Sequence, residues 1–272
     1  MGQVDGPFHP QPQRRCVMPM LSVPGGEIHY EVHAAKGSDD ARETVLLFAP
    51  GFLSSRIERW RSNPARPGVA QDWLDPIEAL SPGFQLIALD VRNAGRSRVQ
   101  LTDGDGWHSY TADHLALLDH VGVARCHIFG ACIGVSHALA LANAATERVN
   151  SLVLQNPIGA SDTNRDALDG EFKAWAEGLE GRPDATQERL RAFQQAMFGG
   201  DFIFSVDRDF VRRCEIPMLL MPGNDLMHAK QASDDLARAP RIQIIDPWKG
   251  PLHKGRAMQR VREFLKTNRA TP

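Results

Sequence analysis

The sequence predicts an α/β fold: a mostly parallel central β-sheet flanked by helices, with a helical insertion. Three observations carry this. Short apolar runs bounded by turn residues alternate with amphipathic stretches, the pattern of βα units packed around a parallel sheet. One glycine-flanked turn, Phe129-Gly130-Ala131-Cys132-Ile133-Gly134, joins a strand-like run to a helix-like run. The alternation breaks once, between Asn156 and Arg213, where no strong strand run occurs.

Taken in order, Met1 to Arg15 is rich in Gly, Pro and Gln and lacks the apolar run of a signal peptide or membrane anchor, so residues 1–18 are expected to form a loose arm. The predicted strands are Glu27–His33, Thr44–Ala49, Gln85–Asp90, Cys126–Phe129, Ser151–Gln155, Met218–Met221 and Arg241–Ile245. Between them, helices are expected at Ala70–Leu80, Tyr110–His120, Ile133–Ala145, Ala229–Arg238 and Ala257–Thr267. In Tyr110–His120, Leu115 and Leu118, followed by Val121, recur at helical spacing and give one core face. The insertion carries helical patterns around Ala167–Leu179 and Thr186–Met197. Residues 19–155 and 214–272 are thus expected to form the core, and 156–213 a helical cap over the carboxyl edge of the sheet, where ligands bind in open α/β folds.

With 272 residues, 42% of them hydrophobic, the chain can bury one large core, and its formal net charge of −2 gives no electrostatic case for nucleic acid or an anionic membrane. The four cysteines, at 16, 126, 132 and 214, show neither a C-x-x-C pair nor metal-ligand spacing, so a reducing cytoplasm is expected rather than a disulfide framework or a zinc site. No G-x-G-x-x-G, Walker loop or metal cluster is present, and no cofactor is expected. The expected partner is a small carbonyl substrate, with a homodimer the one assembly left open.

The turn around Cys132 reads as a nucleophile elbow with sulfur in place of oxygen. A side chain at the tip of so tight a turn is held in a strained backbone conformation, and its flanking positions must be nearly side-chain-free for strand and helix to approach. The bland alternative is a small buried cysteine in a glycine-rich connection. A thiol needs a base, usually a histidine oriented by a carboxylate. His253 follows the last strand, in a loop able to swing over the sheet edge, and Asp225 directly follows Met218–Met221. Cys132, Asp225, His253 then repeats the chain order nucleophile, acid, histidine. Asp225 also suits an Asx-type turn. His228, three residues after Asp225, is the competing base, disfavoured because two such neighbours on one loop would contend for the same space.

On these residues the chain resembles the α/β-hydrolase fold superfamily over roughly residues 20–268. Ala49-Pro50-Gly51-Phe52 resembles the family's oxyanion loop, and Leu89-Asp90-Val91-Arg92-Asn93-Ala94-Gly95-Arg96-Ser97 its D-x-R-x-x-G-x-S stretch. The resemblance implies an oxyanion hole made by the backbone N–H groups of Phe52 and Ile133. A cysteine at the elbow is similar to that of the dienelactone hydrolases, and implies a Cys-His-Asp hydrolase of esters, lactones or thioesters working through an acyl-enzyme. Acyl transfer on the same residues, or a non-hydrolytic ligand-binding or ring-closing protein, are the alternatives.

Other residues receive structural readings. His137 is expected to be a packed helix histidine and Ser109 an N-cap. Trp107 and Tyr110 are expected in core or rim, and Met197 and Met221 as gap-fillers. Phe172, Trp175, Phe193, Phe198, Phe202 and Phe204 either line an apolar pocket or, for most of them, fasten the cap. Arg92 is expected in a structural loop role, although it and Arg96 have the charge to meet an anionic substrate group.

Overall fold

Apolar runs too short for helices and rich in Val, Ile, Leu and Phe pair into a single sheet in the computed structural model, which describes residues 19–34, 43–62, 67–68 and 73–269. The strands are β1 (Met20–Val23), β2 (Gly26–His33), β3 (Thr44–Phe48), β4 (Gln85–Leu89), β5 (Arg98–Val99), β6 (Cys126–Ala131), β7 (Val149–Gln155), β8 (Met218–Met221) and β9 (Ile242–Ile244). Their spatial order is β1-β2-β4-β3-β6-β7-β8-β9, with β5 also paired to β2. From β4 across to β9 every pairing is parallel, whereas β1, β2 and β5 pair antiparallel. The fold class predicted from sequence is the one observed. Central strands β3, β6, β7 and β8 are buried along their whole length, as parallel strands covered on both faces must be.

Helices cover both faces. Helix α2 (Trp107–His120) packs on α3 (Ile133–Ala144), which lies on β6 and β3. The other face is covered by α1 (Pro76–Leu80) and, after the last strand, by α8 (Lys254–Thr267). Asp75 caps α1 by accepting the Ile77 N–H at 2.9 Å, and Pro76 at the first turn needs no acceptor. Ser109 is not the cap of α2. The helix starts earlier than expected, Gly106 takes the capping position, and the Ser109 hydroxyl donates to Asp105 Oδ1 at 2.8 Å.

Between β7 and β8 the chain forms α4 (Arg165–Glu177), α5 (Gln187–Phe198) and the short α6 (Arg208–Arg213), with no strand. Leu168, Phe172, Trp175 and Phe193 from this insertion share one buried cluster with Phe52, Leu53, Cys132 and Ile133. The insertion therefore rests on the turn that carries Cys132, with Phe198 and Phe204 packed in the same cluster and Phe202 in a separate core cluster. One further helix, α7 (Lys230–Leu236), follows β8. The expected arm at 1–18, with Cys16, and the start of the helix expected at Ala70–Leu80 lie outside the described residues. Among the described residues no helix is long and apolar enough to cross a membrane.

Candidate active site

Cys132 stands between β6 and α3 with φ 56° and ψ −119°, a left-handed conformation unusual for a non-glycine residue. Its flanking glycines are required by contact. A Cβ on Gly130 would lie 2.2 Å from the Gly134 carbonyl oxygen, and a Cβ on Gly134 would lie 2.1 Å from that of Phe48. Strand, turn and helix thus approach as closely as bare backbone allows, and the thiol is fixed at the carboxyl edge of the sheet.

The histidine beside Cys132 is His228, not the expected His253. Loop 222–229 folds as an Asx turn in which Asp225 Oδ1 accepts the backbone N–H groups of Met227 at 3.2 Å and His228 at 2.9 Å. That turn brings the His228 ring round, so that Nδ1–H donates to the same Oδ1 at 2.7 Å. Three-residue spacing produces pairing here rather than the crowding anticipated from sequence. Trp73 meets the ring edge-on, with centroids 5.4 Å apart. Nε2, the ring nitrogen that Asp225 does not hold, is buried with no hydrogen-bond partner among the described residues, and Cys132 lines the same pocket as His228. A hydrogen bond between nucleophile and base is commonly loose before substrate binds. His253 instead occupies the N-cap position of α8, because that helix begins at Lys254 rather than Ala257. Its backbone N–H bonds Gly250 O at 3.2 Å and its carbonyl accepts from Ala257, which holds it at the helix start. His253 does not line the pocket that Cys132 and His228 share.

The charges are mutually supporting. Burial works against a charged His228, but the Cys132 charge, followed by hydrogen bonding and charge from Asp225, outweighs it and raises the imidazole to about 9. Burial likewise opposes ionised Asp225, yet His228, with Lys249 behind it, holds the carboxyl well below the usual carboxylate range.

The loop after β3 carries a second strained pair, Gly51 at φ 123° and Phe52 at φ 55°. Phe52 and Ile133 are the first residues of their helical turns, where an amide has no intrahelical acceptor. The Phe52 ring stacks on Phe198 of α5 with centroids 4.3 Å apart. Beneath, the Ser55 hydroxyl donates to Ala49 O at 2.6 Å, and Asp90 Oδ1 accepts the Ile57 N–H at 2.9 Å while Oδ2 accepts that of Arg96 at 2.8 Å. The D-x-R-x-x-G-x-S stretch is therefore a brace for this loop. Arg92 forms a buried fork with Asp113, its structural reading, and Arg96 faces His29 and Glu58.

Cys132, His228, Gly51 and Phe52 line a pocket of about 180 Å³ with Trp73, Ile158 and Met227. Two charged residues not singled out from sequence, Arg59 and Glu171, also line it. Burial, then the charge of Arg56, lowers the Arg59 guanidinium, against the opposing charges of Glu171 and Cys132. The sequence signal for Arg59 was the charged run Arg56-Ile57-Glu58-Arg59 directly after the oxyanion loop; Glu171 is indistinguishable in sequence from a solvated helix residue. His137 is fully enclosed among Phe48, Trp107, Tyr110 and His114, the packed helix histidine expected. Among the described residues, no cluster of three or more His, Cys, Asp or Glu is arranged to hold a metal ion.

A family model described as alpha/beta hydrolase fold matches residues 44–226. RutD of Caulobacter sp. (strain K31), a protein named for carbamate hydrolysis, is 30% identical over 129 residues, 47% of this chain and 42% of that one. A RutD of Pseudomonas savastanoi pv. phaseolicola is 24% identical over 213 residues, 73% of this chain and 80% of that one. The chain thus spans less than half the length of the first of these relatives. Among solved structures, a meta-cleavage product hydrolase from Pseudomonas fluorescens IP01 superposes with a TM-score of 0.62 at 18% identity, over 92% of this chain and 98% of that one. The enol-lactonase of Burkholderia xenovorans LB400 gives 0.58 at 18% identity, over 91% and 100%. At these identities the structural likeness speaks to fold alone.

Proposed function

The chain belongs to the α/β-hydrolase fold family, and from that premise we propose that it hydrolyses a small ester, lactone or thioester through a covalent acyl-enzyme on Cys132. The observation that carries this is the pocket that Cys132 and His228 line together, with the His228 ring held by Asp225 through Nδ1. His228 Nε2 takes the thiol proton, and the sulfur attacks the substrate carbonyl. The Phe52 and Ile133 N–H groups receive the oxyanion, a contribution of about 3 kcal/mol per donor where such groups have been removed. Collapse of the tetrahedral adduct expels the alcohol or thiol, which takes the proton from Nε2, and leaves a thioester on Cys132. Water then enters and gives a proton to Nε2 as its oxygen attacks the thioester carbonyl; collapse of this second adduct breaks the C–S bond, releases the acid and returns the proton from Nε2 to the Cys132 sulfur. Asp225 orients the ring and stabilises its charged form. The insertion over residues 156–213 acts as a cap that limits water and acyl size, in keeping with a pocket of about 180 Å³.

The test is to trap the acyl-enzyme. Incubation with small activated esters, enol lactones, thioesters and carbamates, quenched and followed by mass spectrometry of the intact protein, should show one acyl adduct that maps to Cys132 and is absent from Cys132→Ala. Turnover surviving in Cys132→Ala would defeat the reading. Addition of alcohol or amine acceptors to the same reaction separates hydrolysis from acyl transfer, since a transferase would divert the adduct to the acceptor.

A further inference from the structure

The loop between β9 and α8, expected to deliver the base, delivers a lysine to the acid. Asp225 Oδ1 is already engaged by the His228 ring and by the backbone N–H groups of Met227 and His228. Its other oxygen, Oδ2, accepts a hydrogen bond from Lys249 Nζ at 3.3 Å. Asp225 is nearly half exposed, so without Lys249 this oxygen would be left to water while Oδ1 alone held the carboxylate in place. Lys249 is itself steadied. Its ammonium lies 5.2 Å from the centroid of the Trp248 ring, and Trp248 is buried, its indole N–H donating to Pro222 O at 2.9 Å. Trp248 thus fastens the loop carrying Lys249 to the loop carrying Asp225, and cation and carboxylate meet as parts of one anchored unit.

We propose that Lys249 is a positioning residue for the catalytic acid, clamping Oδ2 so that Oδ1 stays aimed at His228 throughout the reaction. This rests on the Cys132–His228–Asp225 reading above. The charged groups facing Asp225 are His228 and Lys249.

The experiment is a double-mutant cycle in single-turnover acylation, using p-nitrophenyl acetate as probe, with the imidazole N–H of His228 followed by proton NMR. Lys249→Met should slow acylation about tenfold at unchanged KM and broaden the low-field His228 N–H signal through faster solvent exchange. Lys249→Arg should restore most of both. In an Asp225→Asn background, Lys249→Met should cost nothing further, because it acts only through the carboxylate. Wild-type acylation and an unaltered N–H signal in Lys249→Met, or an undiminished penalty in the Asp225→Asn background, would overturn the clamp while leaving the triad standing. Wild-type acylation in Asp225→Asn alone would instead remove the acid from the mechanism, and the clamp with it.

Discussion

A Cβ placed on Gly134 would sit 2.1 Å from a backbone carbonyl oxygen in β3, an atom that cannot rotate aside. Gly134→Ala should therefore force β3 and α3 apart, at a cost of about 1–3 kcal/mol or more. Chemical denaturation should register that cost, and thiol labelling of Cys132 should change rate as the elbow is displaced. An unchanged denaturation midpoint and labelling rate would mean that the elbow is looser than its geometry indicates. The glycines and Cys132 were legible in the sequence because a steric requirement spanning five residues is written locally. Asp225 was legible for the same reason, directly following a strand. His228 was not, since its placement depends on which of two loops turns its side chain toward the thiol, and that is decided by the Asx hydrogen bonds of Asp225. The resulting expectation is concrete: His228→Ala should slow acylation about 100-fold or more, the usual scale of general acid–base assistance, and His253→Ala only slightly. Single-turnover kinetics on the two variants checks it, and the reverse ranking would return the base to His253.

At the scale of elements, the insertion and the loop after β3 depend on each other. Phe52 is held at φ 55°, a conformation costing about 1–3 kcal/mol, and its ring is stacked on Phe198 at the end of α5. Phe198→Ala removes the partner that fixes the loop. Stability should fall by about 0.5–1.5 kcal/mol from the lost ring pair, and by more if a cavity opens. Acylation should also slow, because the Phe52 N–H would no longer be preorganised toward the oxyanion. Thiol alkylation of Cys132 by a small haloacetamide, which needs no oxyanion hole, should be nearly unaffected. Equal losses in both reactions would point to general collapse of the pocket. Elements with a repeated apolar pattern, such as α2, α3, α4 and α5, were visible in the sequence. Those that escaped have little of their own: β5 is two residues beginning with an exposed arginine, α6 is one short charged stretch, and β1 becomes a strand by pairing with β2.

For the whole molecule, the histidines set opposing demands on pH. Burial lowers His114 well below its ordinary value and holds His137 at about 3, with both residues enclosed beside Phe48. Such groups contribute stability that is complete above the unfolded value of about 6.5 and is lost as pH falls toward the folded one, because the unfolded chain binds protons that the folded chain excludes. His228, raised to about 9, contributes in the other direction: its share is complete below about 6.5 and is lost as pH rises through 9. Stability should accordingly pass through a maximum near neutrality, with an acid limb dominated by buried histidines remote from catalysis. His137 alone should account for about 1.4 kcal/mol per pH unit on that limb. His137→Phe keeps a ring of similar size among Phe48, Trp107 and Tyr110 and removes two buried nitrogens that have no hydrogen-bond partner. Between pH 7 and pH 4.5 the variant should lose about 2.5 kcal/mol less stability than the wild type in urea unfolding, since the two pH units below 6.5 no longer draw a proton onto this site. Equal acid sensitivity in the two proteins would show that His137 is protonated in the folded state, and would assign the acid limb to other groups.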